Sequence, residues 1–289
     1  MSVASSRPAP QEIWASLTQA ERDAAYNNNA AVANSAALVE ARDRASSLVR
    51  ASYPAKLDLS YGSAERMQFD LYPAQDGRAP CLVFIHGGYW QKNSREVFAA
   101  YAEGALAAGW SVAMPSHTLA PHASLSDIVA EIGDALDWIT REGRFHGIDG
   151  PLVLAGWSAG AHLAAMLLSH SSVVAGLAIS GVYDLAPIRD TFLNAALKLT
   201  DDEIATLSPL TLPVTQKPLA IAYGTKEVPA LVHDAIRFHE RRAAAGAPGP
   251  LIPVEGADHF TILDELRSPS GTLVKAAGDL IGSRRPAAG

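Results

Sequence analysis

The chain is poor in cysteine: of its 289 residues only Cys81 is one. No intrachain disulfide can form, no oxidising compartment is needed, and Cys81, inside an apolar run, reads as a small core residue. Basic residues are also scarce. With 23 Lys and Arg against 30 Asp and Glu the net charge is −7, and the nearest thing to a basic cluster is Arg241 and Arg242, at an expected helix end where cations suit the dipole. Nucleic acid and anionic membrane, which need clustered Lys and Arg, are thereby excluded as expected partners. No apolar run reaches membrane-spanning length, because the most apolar stretch, 161–179, is broken by His162, Ser169, His170, Ser171 and Ser172. The first ten residues are polar and proline-containing, without the apolar core of a secretory signal, so a cytoplasmic location is expected. His117 and His122 lack the spacing of a metal-ligand set, and neither a metal nor a cofactor is expected.

What the chain does have is 48% hydrophobic residues, enough for one large α/β domain with a substantial core. Residues 11–51 are rich in Ala with interspersed Glu, Arg and Asp, which favours helix, interrupted by the turn chemistry of Tyr26, Asn27, Asn28 and Asn29. Residues 56–61 and 67–72 alternate apolar and polar around Gly62 and Ser63, predicting an antiparallel hairpin. Short apolar runs then follow at Cys81–Ile85, 110–114, 151–155, 174–180, 218–223 and Leu251–Val254. Helix-like stretches lie between and after them at 95–108, 125–141, 159–170, 229–245 and 272–281. This alternation predicts an eight-stranded, mostly parallel sheet flanked by helices. Residues 184–212 have no strand character. We expect an N-terminal helical extension or cap over 1–52 and a main domain over 53–289, with 184–212 as a cap insertion and a disordered tail at 284–289.

Two loops carry chemistry. Gly156, Trp157, Ser158, Ala159 and Gly160 spell G-x-S-x-G between an apolar strand and a helix, the context of a nucleophile elbow in which glycines permit a sharp turn and Ser158 is lifted into the open. The second, His86, Gly87, Gly88, Tyr89 and Trp90, follows the strand Cys81–Ile85. Glycines there let backbone N–H groups approach a developing alkoxide, so Gly87, Gly88 and Ala159 are the expected oxyanion donors.

A serine nucleophile needs a base and a carboxylate behind it, in the chain order Ser, acid, His. His259 follows the last strand and is the expected base. His162 is expected to face out of the elbow helix in a structural role, and His86 to brace the glycine loop by hydrogen bonding. Glu227 is the only carboxylate in the loop after the strand 218–223, with Asp184 as its rival after the preceding strand; Asp258 is expected to point away from the histidine. Tyr89, Trp90 and Trp157 flank the nucleophile and read either as an aromatic wall for a flat substrate or as packing for the loops.

Taken together these residues resemble kynurenine formamidase (arylformamidase) and its bacterial relatives in the α/β-hydrolase superfamily. The likeness rests on H-G-G-Y-W at 86–90, G-W-S-A-G-A-H at 156–162, Glu227-Val228-Pro229, His259-Phe260 and a Tyr-Asn element at Tyr26, Asn27 and Asn28. The family's usual acid is aspartate, and Glu227 stands in its place. The resemblance implies an α/β-hydrolase fold, a triad of Ser158, Glu227 and His259, and cleavage of an N-formyl or N-acyl arylamine through an acyl-enzyme. It also implies a small, aromatic substrate, contacts to it from Tyr26 and Asn27, and homodimers, which this group often forms. A carboxylesterase with the same machinery, or a non-catalytic binding protein on the same scaffold, are the alternatives.

Overall fold

The computed structural model describes residues 14–282, so the polar first ten residues and the tail 284–289 lie outside the described residues. The sheet has eight strands: β1 Lys56–Ser60, β2 Gln68–Tyr72, β3 Cys81–Ile85, β4 Ser111–Pro115, β5 Leu152–Trp157, β6 Val173–Ile179, β7 Leu219–Gly224 and β8 Leu251–Val254. Their spatial order is β1-β2-β4-β3-β5-β6-β7-β8. The hairpin β1–β2 joins antiparallel to β4, and β3 to β8 are parallel. Each expected strand is present, shifted by at most about two residues at its ends.

Burial explains why the apolar runs take these positions. Every residue of β3, β4 and β5 is buried, as a sheet covered on both faces requires. Alternate side chains feed two cores: Val83, Ile85 and Leu154 on one face, Leu82, Phe84, Val153, Ala155 and Trp157 on the other. The edges behave differently. In β1 exposure alternates residue by residue, and β8 carries Pro253, tolerable only where a ladder partner is missing.

Helix Leu125–Glu142 illustrates the covering layer. Ser124 and Asp127 form a reciprocal capping box, and Leu125, Ile128, Ile132, Ala135, Leu136 and Ile139 bury one face at helical spacing. The expected helix 95–108 is instead a 3-10 segment, Arg95–Ala102, followed by the short α-helix Glu103–Ala107. The elbow helix likewise stops early, at Met166, and continues as a 3-10 turn.

The N-terminal segment is bolted to the sheet. Arg50, in helix Ser35–Ser52, gives its Nε to the fully buried Asp70 of β2 at 2.7 Å, and Arg95 gives its own Nε to the same carboxylate at 3.0 Å. Asp58 pairs with both arginines, so no charge of this cluster is left alone. Before that helix, the interruption at Tyr26–Asn29 is not a simple turn. Asn27 caps the short helix Asn28–Ala31 by accepting from the Ala30 N–H at 3.1 Å.

Residues 184–212 form three short helices, Ala186–Arg189, Asn194–Leu197 and Asp201–Leu207, and meet the N-terminal segment. Trp14 Nε1 donates to Asp190 Oδ2 at 3.1 Å, Gln19 Nε2 to the Asp190 carbonyl at 2.9 Å, and the Phe192 N–H to Asp23 at 2.7 Å.

Candidate active site

At the C-terminal end of β5 the chain turns sharply into helix Ala159–Met166, and Ser158 occupies the turn with φ 57° and ψ −118°. A non-glycine residue with such angles is strained by about 1–3 kcal/mol and persists only where its surroundings impose it. The surroundings here are backbone. A Cβ on Gly156 would fall 2.1 Å from the Gly160 carbonyl oxygen, and one on Gly160 would fall 2.1 Å from that of Ile85. The Ser158 N–H is anchored to the Ile179 carbonyl at 2.8 Å, and the Ser158 carbonyl accepts from Ala161 and His162 to start the helix. The hydroxyl makes no cap hydrogen bond.

The β7 and β8 ends bring two further groups together. Gly224 allows this, since a Cβ there would meet the Ala257 carbonyl oxygen at 2.3 Å. Glu227 Oε2 lies 3.0 Å from His259 Nδ1, with both side chains almost fully buried. The other oxygen, Oε1, accepts from the Gly224 N–H at 2.8 Å and from the Ser180 hydroxyl. Two donors on Oε1 leave Oε2 for the imidazole. The ring is also held from behind: Trp157 lies 4.7 Å away, centroid to centroid, and its indole N–H donates to the His259 carbonyl at 2.8 Å. Trp157 directly precedes Ser158, so this contact ties His259 to the residue next to the serine. Among the described residues neither Ser158 Oγ nor His259 Nε2 is committed to another protein group. No hydrogen bond joins the two, a contact that in such sites often forms only with substrate.

Gly87 lies against Ser158, where a Cβ would meet the Trp157 carbonyl at 2.6 Å and Ser158 Cβ at 2.9 Å. Among the described residues no turn, loop or cap hydrogen bond uses the N–H of Gly87, Gly88 or Ala159. The Gly87 carbonyl, by contrast, accepts from Asn93 Nδ2 at 3.1 Å and lies 3.0 Å from His86 Nδ1. With an acceptor there, His86 carries its proton on Nδ1, and the buried Nε2 is unpartnered. The ring stacks on His117 at 4.8 Å, and burial pushes both histidines below their ordinary value.

The remaining expected residues are placed as follows. Asp184 caps the Ala186 N–H and sits 3.7 Å from Arg237, without contact to His259. Asp258 turns to the N–H groups of Phe260 and Thr261, both at 2.9 Å. His162 does not face outward: it is fully buried, its Nε2 2.7 Å from the Leu207 carbonyl, because the insertion covers the elbow helix. Trp90 is 1% exposed and packs edge-on to His162 at 5.1 Å, whereas Tyr89 is only half-buried. Tyr26 is buried against Trp14, and Asn27 Oδ1 is taken by its helix cap. Sequence reasoning did not find Ser180, which has a left-handed φ of 54° at the end of β6, nor Asn93, which grips the glycine loop, and it named Asn28 only within the Tyr-Asn element, not as a partner of that loop.

Burial fixes a pH response. His117 and His162 are pushed down from 6.5 to about 4 by desolvation. Between those values the unfolded chain binds protons that the folded chain refuses, so stability falls as pH drops from 6.5 to 4. At pH 5 each ring should cost about 2 kcal/mol relative to pH 8. His162→Gln should remove its share of this slope in denaturant titrations at the two pH values; an unchanged slope would show that His162 does not titrate this way.

Comparison with known proteins finds formamidases and esterases among the chain's relatives. A family model described as BD-FAE matches residues 67–175. The chain is 27% identical over 242 residues to a kynurenine formamidase of Danio rerio, covering 78% of this chain and 82% of that protein. It is 25% identical over 244 residues to an esterase of Gibberella moniliformis, covering 73% and 76%. Among solved structures, a Silicibacter protein described as a thioesterase candidate superposes with a TM-score of 0.79 at 31% identity, over 89% of this chain and 99% of that one.

Proposed function

Because the chain belongs to the α/β-hydrolase superfamily and is an enzyme related to kynurenine formamidases and esterases, we propose that it is a serine hydrolase cleaving N-formyl or N-acyl arylamines through an acyl-enzyme. The observation that carries this reading is the buried Glu227–His259 pair, backed by Trp157, the residue that precedes a serine whose backbone is strained and whose hydroxyl has no partner among the described residues.

In this mechanism Ser158 Oγ attacks the acyl carbonyl while its proton passes to His259 Nε2, and Glu227 steadies the imidazolium. The N–H groups of Gly87, Gly88 and Ala159 hold the oxyanion, each worth about 3 kcal/mol in the transition state. His259 then gives the proton to the leaving arylamine nitrogen, which departs as the C–N bond breaks. Water, deprotonated by His259, attacks the Ser158 ester, and His259 returns that proton to Ser158 Oγ as formate or another acid leaves. An arylamine is a better leaving group than an alkylamine because its nitrogen is less basic. Residues 14–31 and 184–212 act together as a cap, a role supported by the hydrogen bonds between them. Of the aromatic residues beside the nucleophile, Tyr89 offers a ring to substrate, Trp157 backs the base, and Trp90 packs the loop.

Relatedness to an esterase keeps a second reading open, a carboxylesterase with the same triad. Steady-state turnover of N-formylkynurenine beside p-nitrophenyl acetate, with the Ser158→Ala protein as blank, separates the two. Higher kcat/KM on the formamide is expected; turnover of the ester alone would move the natural substrate to an ester.

A further inference from the structure

The glycine loop holds an unusual backbone. Gly88 has φ 127°, and the two residues after it, Tyr89 and Trp90, both have left-handed φ, 57° and 59°. Side chains disfavour that region, so two such residues in succession need outside support. Trp90 finds it inside the main domain, with its ring against His162 and its carbonyl accepting from the Ala120 N–H at 2.8 Å. Tyr89 finds it elsewhere. Its hydroxyl donates to the Tyr26 carbonyl at 2.9 Å and accepts from the Asn28 N–H at 3.1 Å and from Asn28 Nδ2 at 3.3 Å. All three partners belong to the N-terminal segment, more than sixty residues away in the chain, and Asn28 and Tyr26 are both buried. One phenolic hydroxyl thus spends its one donor and both of its acceptor sites on a segment that contributes no strand to the sheet.

Resting on the serine-hydrolase reading above, we infer that Tyr89 is a positioning residue: its hydroxyl, clamped by Tyr26 and Asn28, holds the Gly87–Gly88 N–H groups at the oxyanion position. The N-terminal segment is then part of the catalytic apparatus through this clamp, as well as a cover. The clamp acts at short range, since Tyr89 is the next residue after Gly88 and a tilt of one peptide plane moves an N–H by a sizeable fraction of its hydrogen-bond length. Displacements of about 1 Å in such groups cost on the order of 100-fold in rate.

The test is Tyr89→Phe in the full chain, which keeps the ring and removes the three hydrogen bonds. With active sites counted by a serine-directed organophosphorus probe, kcat per site should fall about 10- to 100-fold while KM stays within about twofold. The affinity of a boronic acid, whose adduct with Ser158 is tetrahedral and anionic, should fall by the same factor, and that of the arylamine product should not change. Asn28→Ala, which removes one of the three bonds, should cost less, and the double variant should be no slower than Tyr89→Phe alone. If Tyr89→Phe does not fold, Asn28→Ala carries the test with the same readouts at about 3- to 10-fold. A kcat per site within the experimental scatter of the parent, or a loss expressed as raised KM with unchanged boronate affinity, overturns the clamp. Failure of the underlying reading looks different: the parent protein itself would show no turnover, or the probe would not label Ser158.

Discussion

Ser158→Ala is expected to reduce turnover by about 10⁵- to 10⁶-fold, to the residue left by binding and the oxyanion donors, while leaving the fold intact. The reason both halves should hold is that the hydroxyl is free. It makes no cap hydrogen bond, so its loss leaves no buried group unpaired, and the turn is imposed by Gly156 and Gly160 lying against backbone rather than by the serine. Thermal midpoints of the two proteins should therefore agree within a few degrees. The strain at φ 57° gives a companion result. Ser158→Gly removes the Cβ that makes the conformation costly, which offsets glycine's entropic penalty, and should be as stable as the parent or more so by about 1 kcal/mol in urea titrations. An inactive protein more stable than the active one is what a strained nucleophile predicts. Substantial activity in Ser158→Ala would remove the serine from the mechanism.

Much of this site was legible in the sequence because its signals are local. The strand, tight turn and helix around Ser158, the buried run Cys81–Ile85 leading into Gly87 and Gly88, and the chain order of Ser158, Glu227 and His259 are all readable without a third dimension. What escaped the sequence is set by contacts between distant segments. Ser180 ends a strand like any other small residue, and only the return of Glu227 across β6 and β7 turns its hydroxyl into a partner for the carboxylate. His162 follows the elbow at a spacing that fits either an outer or an inner face, and the insertion decides for the inner one. Asn27 is ambiguous for a different reason, since asparagine suits both a turn and a helix cap, and the four-residue helix it starts is too short for any periodicity to reveal. The helix expected at 95–108 is present, 3-10 over Arg95–Ala102 and α only over Glu103–Ala107. Its first turns are buried between helix Ser35–Ser52 and the sheet, and Ser46 Oγ takes the Ala100 N–H, a tertiary bond that competes with an α-helical one.

The acid gives the second large effect. Glu227→Gln is nearly isosteric, and two donors, the Gly224 N–H and the Ser180 hydroxyl, will hold the amide oxygen where Oε1 now sits. The amide NH2 must then face His259 Nδ1, which is 3.0 Å from the present carboxylate oxygen. Facing a donor, Nδ1 has to accept, so the ring's proton moves to Nε2. An imidazole protonated at Nε2 cannot take the proton of Ser158, and the charge that steadied the imidazolium is gone as well. Loss of both orientation and charge should lower kcat by about 10⁴-fold with little change in stability, because every hydrogen bond at the position survives, only the one to His259 with its direction reversed. Asp184→Asn supplies the contrast. Its carboxylate caps the Ala186 N–H at 3.1 Å, a task the amide oxygen performs equally well, and kcat should stay within about threefold. A large loss in Asp184→Asn with little in Glu227→Gln would transfer the acid's role to the loop after β6. It would also leave unexplained why this chain buries a glutamate side chain completely against its histidine. A carboxylate so desolvated is costly unless its charge is used, and in the proposed mechanism the imidazolium formed during acyl transfer is the charge it meets.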